Sequence, residues 1–269
     1  QMLDAVEDEK IVWTLSATAF AMDMVAAQRR TTRDLSSFKF FICGGAAIPP
    51  KVVEEAAEFL GAQLIALWGM TENMVVTSTR PGDSVELVSN SDGTPVEWME
   101  IRLMSDDGEV KRVGESGNLQ TRGASQALGY FHREDLYEAA TPEEDWFDTG
   151  DVARLRSDGG IRIVGRTKDI VIRGGENIPV AEIESLILRY PGVDEVAIVG
   201  LPDERLGERA CAVVSSSNST LTLLDISKFL EDLGTAKQFW PEELVLMTEM
   251  PRTPSGKIQK FRLREELSA

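Results

Sequence analysis

The sequence predicts an α/β fold followed by a separate α+β domain, and three observations support this prediction. The segment 38–72 reads as a strand, a helix and a second strand, a βαβ unit that favours a parallel sheet. After about Pro81 the chain changes to short alternating strands joined by Asp–Gly turns. From about Arg166 onward, helices with apolar stripes alternate with strands over roughly a hundred residues, an ordinary domain size.

The first part opens with a helix, a strand and a helix in the segment 2–28. The apolar run FKFFICGG then ends in Gly44 and Gly45 and reads as a buried strand. A helix is predicted over PPKVVEEAAEFL, because proline is favoured in the first helical turn and Gly61 follows the last residue. The run AQLIAL completes the βαβ unit as a strand, and WGMTEN is predicted to be the loop after it.

The middle part reads as a small β-rich subdomain. Two strands are predicted on either side of the turn Ser105–Gly108, and VARLRSDGGIRIVG predicts a hairpin with its turn at Ser157–Gly160. The last part begins with the strand KDIVI and the glycine-rich loop RGGEN, followed by a helix that starts at Pro179. Two strands, a helix, a strand, the loop of Lys257 and a final helix follow. We place the domain boundary in GRTKD, which gives domains 1–166 and 167–269.

Composition narrows the function classes. The 269 residues carry a net charge of −17, which disfavours binding to a nucleic-acid backbone. Two distant cysteines, Cys43 and Cys211, and a single histidine argue against a Cys/His metal site or a Cys–His nucleophile, and they suit a cytoplasmic protein. No apolar run is long enough for a transmembrane helix. The chain begins with Gln1 in mid-pattern, and we expect it to be a fragment of a longer protein.

Polar residues follow several predicted strands, where open α/β sheets bind their ligands. Thr71 can hydrogen-bond a phosphate or carboxylate oxygen, and Glu72 is a hard oxygen ligand that suits Mg²⁺. Asp151, in FDTGD, can accept ribose hydroxyls, and Arg166 offers a fork for phosphate or ribose oxygens. Each of these segments taken singly also fits an ordinary turn or a solvated charge cluster.

Taken together and in this order, the motifs resemble those of the adenylate-forming (acyl-CoA synthetase, or AMP-binding) superfamily. The motifs are GGAAIP, WGMTE, GNLQTRGASQALGY, DWFDTGD, GRTKDIVIRGGENIPVAEIE and PRTPSGKIQK. The likeness covers essentially the whole chain and is closest to the ligases of short- and medium-chain fatty acids or cyclohexanecarboxylate. It implies the C-terminal part of the large AMP-binding domain, followed by a mobile α+β lid. It also implies ATP, Mg²⁺ and coenzyme A as cofactor and substrates, and a small carboxylic acid as partner.

The resemblance implies a role for each matching residue. Thr71, Glu72 and Lys257 would be catalytic, with Glu72 also the Mg²⁺ ligand. Lys168 would be the hinge between the two domains. The ATP/AMP-binding residues would be Gly44, Gly45, Ala46, Trp68, Gly69, Met70, Asp151 and Arg166, with Trp68 at a position where most relatives carry Tyr. The CoA-binding residues would be Gly174, Gly175, Glu176 and Lys237.

In this family the lysine of the SGK loop contacts the carboxylate and the α-phosphate during adenylation. Physical chemistry agrees with that role for Lys257, because both groups are anionic and an ammonium between them neutralises charge that is being crowded together. After the acyl-AMP forms, the small domain would rotate about Lys168. Lys257 would then leave, and the loop Gly174–Glu176 would line the tunnel for the pantetheine arm.

The family's phosphate loop, of the type SGTTGxPKG, is absent from these 269 residues. We therefore expect the chain to lack the residues that hold the β- and γ-phosphates of ATP. Three functions stay open: a carboxylate–CoA ligase, an adenylation domain that loads an amino or aryl acid onto a carrier protein, and a non-catalytic fragment that binds nucleotide or acts as a scaffold.

Overall fold

The computed structural model describes residues 1–45, 48–105, 107–143, 145–174, 176–253 and 256–268, and at Lys168 it describes the backbone alone. The chain divides into two compact units, Gln1–Ile163 and Val164–Ala269. The division lies three residues before the boundary that the sequence suggests. No described helix combines the length and the apolar character that crossing a bilayer would require.

The first sheet of the first unit has five strands in the order β1-β2-β3-β4-β5. The strands are β1 Trp13–Ala17, β2 Phe40–Gly44, β3 Gln63–Met70, β4 Met74–Ser78 and β5 Thr94–Pro95. The pairs β1–β2 and β2–β3 are parallel, and β4 is antiparallel to both β3 and β5. The predicted βαβ unit with a parallel sheet is therefore confirmed.

Helices pack on one face of this sheet. They are α1 Met2–Glu9, α2 Thr18–Arg30, α3 Pro50–Glu55, which continues as a π-helix over Ala56–Leu60, and α4 Val85–Ser89. Buried apolar residues of the helices and of β2 and β3 form the core, among them Phe41 and Leu64, which are 0% and 1% exposed. In contrast, Trp13 and Leu15 of β1 keep 57% and 59% of their surface exposed.

A second sheet in the order β6-β7-β8-β9 follows. Its strands are β6 Met99–Met104, β7 Ser116–Gly123, β8 Phe147–Leu155 and β9 Ile161–Arg166, and the short helix α5 Glu134–Ala140 lies between β7 and β8. The turn between β8 and β9 is closed by Arg156, whose backbone N–H donates to the carbonyl of Gly160 at 2.9 Å. The predicted hairpin is present, and the predicted turn after β6 includes Asp106, which lies outside the described residues.

The second unit packs helices on both faces of one sheet. The order is β11-β10-β13-β12, and β14 also pairs with β13. The elements are β10 Val171–Arg173, β11 Glu176–Ile178, α6 Val180–Ile187, β12 Val193–Asp203, β13 Gly207–Ser216, α7 Leu223–Asp232, β14 Glu243–Leu246 and α8 Lys260–Leu267. Alternate residues of β13 enter two cores: Ala212 and Val214 face α6 and α7, whereas Cys211 and Val213 lie in the core of α8. This is the α+β unit that the sequence predicts.

Parts of three segments that the sequence suggests as loops or turns belong to strands instead. Trp68, Gly69 and Met70 belong to β3, Asp151 to β8 and Arg166 to β9. In β8 the register shifts within the motif, so Gly150 stays in the strand as part of a bulge. The shift between Trp68 and Gly69 places the extra residue, Val76, in the partner strand β4. A bulge bends the strand and turns a side chain without ending the ladder.

Candidate active site

The end of β3 and the start of β4 form a tight turn around Thr71 and Glu72. Gly69 makes this turn possible, because a Cβ at that position would lie 1.7 Å from the backbone oxygen of Met74. Thr71 is exposed and Glu72 is half-buried. The turn therefore carries a threonine and a glutamate in consecutive positions, and their role in catalysis stays a prediction.

Asp151 is held by Trp68. The indole Nε1 donates to Asp151 Oδ2 at 3.1 Å, and Asp151 is only 4% exposed. Trp68 also packs against the core of the second sheet, so its ring is fixed. Two residues that the sequence assigned to nucleotide binding, 83 positions apart, are thus in direct contact.

A bulge in β8 sets the direction of Asp151. The Thr149 hydroxyl donates to the Leu119 carbonyl at 2.7 Å, and the backbone N–H of Asp151 donates to that same hydroxyl oxygen at 3.1 Å. Gly150 adopts a φ of +68° between them. These bonds fix the backbone on both sides of Gly150, so the carboxylate of Asp151 has a defined position before any ligand binds.

Glu72 is held by a residue to which the sequence assigned no role. The Tyr130 hydroxyl donates to Glu72 Oε1 at 2.6 Å. This hydrogen bond to the carboxylate, reinforced by burial, raises the pKa of Tyr130 to about 12. The segment that ends in Tyr130 is one of the recognised motifs, yet nothing in the sequence indicated its contact with a carboxylate 58 residues away.

The carboxylate of Glu72 has the hard oxygen chemistry that suits Mg²⁺. Among the described residues no group of three His, Cys, Asp or Glu side chains could hold an ion. Mg²⁺ keeps several waters and binds through one or two carboxylates together with substrate phosphates. A single half-buried carboxylate beside an exposed threonine matches that mode.

The glycines after β2 are only partly described. Gly44 ends the strand and Gly45 is exposed with a φ of +83°. Ala46 lies outside the described residues. The pocket wall predicted for this segment therefore stays a prediction.

In the second unit, Lys257 lies on a loop that is closed at its base. Arg252 and Ile258 form an isolated antiparallel bridge, and the backbone N–H of Thr253 donates to the Lys257 carbonyl at 2.8 Å. The backbone N–H of Lys257 in turn donates to the Thr253 hydroxyl at 3.1 Å. Arg252 is also ion-paired with Glu195. The backbone around Lys257 is thus held, while its side chain is exposed.

The two predicted CoA segments are linked through Arg173, the last residue of β10. The chain turns at Gly174, which has a φ of +58°, and Glu176 starts β11 with an exposed side chain. Gly175 lies outside the described residues. The Arg173 guanidinium donates to the carbonyl of Gln238 at 2.9 Å. This bond joins the β10–β11 turn to the 3₁₀-helix Lys237–Phe239, so exposed Lys237 lies on a segment tied to that turn.

The proposed hinge region is short and regular. Arg166 is the last residue of β9 and is exposed, and Lys168 lies in the 3₁₀-helix Thr167–Asp169. Asp169 forms an ion pair with Arg264 of α8 at 2.8 Å. The segment after Lys168 is therefore anchored to the last helix of the second unit. The side chain of Lys168 is not described, and its role stays a prediction.

Comparison with known families gives two matches along the chain. The AMP-binding enzyme family matches residues 1–131, and the AMP-binding enzyme C-terminal domain matches residues 182–257. The two matches together cover more than half of the chain.

Individual relatives and a solved structure support the same family. The chain is 36% identical to the medium-chain fatty-acid–CoA ligase of Escherichia coli K12, over 98% of this chain and 47% of that protein. It is 33% identical to the 2,3-dihydroxybenzoate-AMP ligase of Bacillus subtilis 168, over 98% of this chain and 49% of that protein. ATP-bound MatB of Rhodopseudomonas palustris superposes with a TM-score of 0.91 at 27% identity, over 99% of this chain and 52% of MatB. The chain thus spans about half the length of these relatives, and it belongs to the AMP-binding enzyme family, as its motifs predicted.

Proposed function

We propose that the protein carrying this chain is an ATP-dependent carboxylate–CoA ligase that acts on short- or medium-chain fatty acids or alicyclic acids in the cytoplasm. The observation that supports this proposal best is the pair of carboxylates held by aromatic donors. Glu72 accepts from Tyr130, and Asp151 accepts from Trp68. Preorganised groups of this kind need little rearrangement when the substrate binds.

The first half-reaction joins the acid to AMP. A carboxylate oxygen attacks the α-phosphorus of ATP, a P–O bond forms, and the bond to pyrophosphate breaks. In this proposal Asp151 binds the ribose together with Arg166, while Thr71 contacts the phosphate or carboxylate oxygens. Glu72 holds Mg²⁺, which when bound neutralises phosphate charge. The walls of the nucleotide pocket come from the segments of Gly44 and Trp68.

Lys257 acts on the same half-reaction through its charge. The attacking carboxylate and the α-phosphate repel one another, and an ammonium close to both stabilises the transition state more than the separated reactants. The exposed side chain on a closed loop suits this task, because the backbone is positioned while the amine can still reorient.

The second half-reaction moves the acyl group to the thiol. The sulfur of CoA attacks the acyl carbonyl, a C–S bond forms, the C–O bond to AMP breaks, and the thiol proton passes to solvent. In this proposal the Gly174–Glu176 turn approaches the pantetheine arm, and Lys237 contacts a phosphate of the CoA nucleotide. A rotation about Lys168 separates the two half-reactions.

An aryl-acid ligase that loads a carrier protein is the second candidate. The 33% identity to a 2,3-dihydroxybenzoate-AMP ligase favours it, and the difference from the 36% of the fatty-acid ligase is too small to decide the acid. Both candidates share the first half-reaction. They differ in the acid that is activated and in the thiol that accepts it.

The test is acid-dependent ATP–pyrophosphate exchange by the full-length protein. The panel would contain butyrate, hexanoate, octanoate, cyclohexanecarboxylate, benzoate, 2,3-dihydroxybenzoate and several amino acids. Exchange with the fatty or alicyclic acids, followed by thioester formation with free CoA, is the expected result. Exchange with aryl or amino acids alone, without transfer to CoA, supports the carrier-loading candidate. No exchange from a folded protein contradicts both.

A further inference from the structure

The contact between Tyr130 and Glu72 is part of a larger attachment between two segments. The backbone N–H of Ala127 donates to the Glu72 carbonyl at 2.6 Å, and the Ser125 hydroxyl donates to the Asn73 carbonyl at 2.7 Å. Together with the Tyr130–Glu72 bond, three hydrogen bonds fasten the segment after β7 to the turn after β3. The two bonds to backbone carbonyls of the turn therefore keep Tyr130 close to Glu72, in addition to the bond that the Tyr130 hydroxyl makes itself.

The ring of Tyr130 is also fixed. It packs edge-on against Tyr137 of α5, with ring centroids 5.8 Å apart and an interplanar angle of 82°. The Tyr137 hydroxyl in turn donates to the carbonyl of Ala127. Two tyrosines thus support the same segment, but only Tyr130 touches Glu72.

The two oxygens of the Glu72 carboxylate differ in their hydrogen bonding. Oε1 accepts from Tyr130, whereas no donor among the described residues reaches Oε2. Bonds to a carboxylate from a phenol are short and strong because the acceptor is charged. The Tyr130 hydroxyl therefore holds Oε1 in place and leaves Oε2 available to a cation.

We propose that Tyr130 is a positioning residue that orients the Glu72 carboxylate, so that Oε2 faces the divalent cation bound with ATP. This inference rests on the proposed function of Glu72 as a metal ligand. Residues that hold a ligand in place usually matter through metal affinity, and their loss typically weakens it about 10- to 100-fold. Tyr130 touches no substrate in this account, and its contribution passes entirely through Glu72.

The test uses Mn²⁺ as the probe, bound to the full-length protein with a non-hydrolysable ATP analogue. Free Mn²⁺ is counted by electron paramagnetic resonance in the wild type, Tyr130→Phe, Tyr137→Phe and Glu72→Gln. Tyr130→Phe keeps the ring and its packing, and we expect its Mn²⁺ dissociation constant to rise about tenfold or more. Tyr137→Phe is the matched control, because it removes a hydroxyl that supports the same segment but does not contact Glu72. It should change the Mn²⁺ dissociation constant by less than about threefold.

A double-mutant comparison excludes a merely structural effect. Adding Tyr130→Phe to Glu72→Gln should weaken Mn²⁺ binding no further, because both changes act through one carboxylate. Thermal unfolding of each variant establishes that the protein compared is folded. The Mg²⁺ concentration for half-maximal pyrophosphate exchange should rise in parallel with the Mn²⁺ dissociation constant in Tyr130→Phe.

The possible results distinguish the positioning role of Tyr130 from the metal-binding role of Glu72. Wild-type Mn²⁺ affinity in Tyr130→Phe, together with weakened binding in Glu72→Gln, overturns the positioning role and leaves Glu72 as the ligand. Wild-type affinity in Glu72→Gln overturns the metal role of Glu72 itself. Equal losses in Tyr130→Phe and Tyr137→Phe also overturn the inference, because they would reflect the folding of the segment.

Discussion

The two units hold their candidate residues in different ways. In the first unit Asp151 is 4% exposed and bonded to Trp68, and half-buried Glu72 is bonded to Tyr130. In the second unit Lys257, Glu176 and Lys237 are all exposed, and they lie on a loop, next to a turn and in a 3₁₀-helix. The first unit therefore presents acceptors that hydrogen bonds hold in place, whereas the candidate side chains of the second unit are exposed to solvent.

This difference predicts where each substitution will act. A buried, bonded group contributes to both stability and ligand binding, because its removal leaves partners unsatisfied. An exposed lysine contributes little to stability, since surface substitutions usually change the free energy of unfolding by less than about 0.5 kcal/mol. Its effect should therefore appear in the rate alone.

The largest effect is expected from Lys257→Ala. The rate of pyrophosphate exchange should fall about 10²- to 10³-fold, which is typical for the loss of one electrostatic contact in a transition state. The free energy of unfolding should stay the same within about 0.5 kcal/mol, because the side chain is exposed. Lys228→Ala, at an exposed position on α7, is the matched control and should keep the full rate. Full exchange by Lys257→Ala would remove the lysine from the mechanism.

Asp151→Asn should have the next largest effect, and it should act on ATP binding. Hydrogen bonds to charged groups contribute about 1.5–3 kcal/mol, so the KM for ATP should rise roughly ten- to a hundredfold. The free energy of unfolding should also fall by about 1 kcal/mol, because the buried bond with Trp68 is weakened. Asp148→Asn, at an exposed position in the same strand, is the control and should leave KM unchanged. Equal KM values for the two variants would contradict the role of Asp151.

Gly174→Ala should affect only thioester formation. A side chain at a φ of +58° costs roughly 1–2 kcal/mol, which corresponds to about a tenfold slower transfer to CoA if the turn contacts the thiol arm. Pyrophosphate exchange should be unchanged. Gly192→Ala is the matched control, because it places a side chain at a comparable φ of +86°, in the turn before β12 and outside both segments proposed to contact CoA. Slower transfer in both variants would point to general destabilisation of the second unit.

The smallest effect is expected for alkylation of the cysteines, because each unit contains one cysteine and both are buried. Cys43 and Cys211 are fully buried, and burial raises the pKa of Cys43 to about 11 and that of Cys211 to about 12. A thiol with a raised pKa stays protonated and unreactive at neutral pH. Iodoacetamide at about pH 8 should therefore modify neither residue in the folded protein, as measured by mass spectrometry. Rapid alkylation of the native protein would show that one of these cores opens.

The sequence predicted most long elements because their signals are local. The helix that begins at Pro50 and ends before Gly61, and the strands of the second unit, follow from periodicity and from capping residues. Helix α5 was missed because it buries no residue and so has no apolar stripe. The motif FDTGD was predicted as a loop, since glycine and aspartate favour turns, and only the pairing of β8 with β7 reveals it as a bulge.

The site was predicted as a set of residue types but not as a set of contacts. The recognised motifs propose Glu72 and Asp151 as site residues, because short sequence patterns contain them. Their partners, Tyr130 and Trp68, lie 58 and 83 residues away from them. Such contacts depend on how distant strands and loops come together in the fold. No local pattern in a single sequence indicates that arrangement.

The central claim is that the bonded residues of the first unit bind ATP, whereas the exposed lysine of the second unit increases the rate. Its most direct test is pyrophosphate exchange by the full-length protein, measured over a range of ATP concentrations. The wild type, Asp151→Asn and Lys257→Ala would be compared with the preferred acid. We predict that Asp151→Asn raises the KM for ATP and that Lys257→Ala lowers kcat, with its KM within about threefold of the wild type. A lowered kcat in Asp151→Asn with normal KM, or a raised KM in Lys257→Ala with normal kcat, would contradict the account.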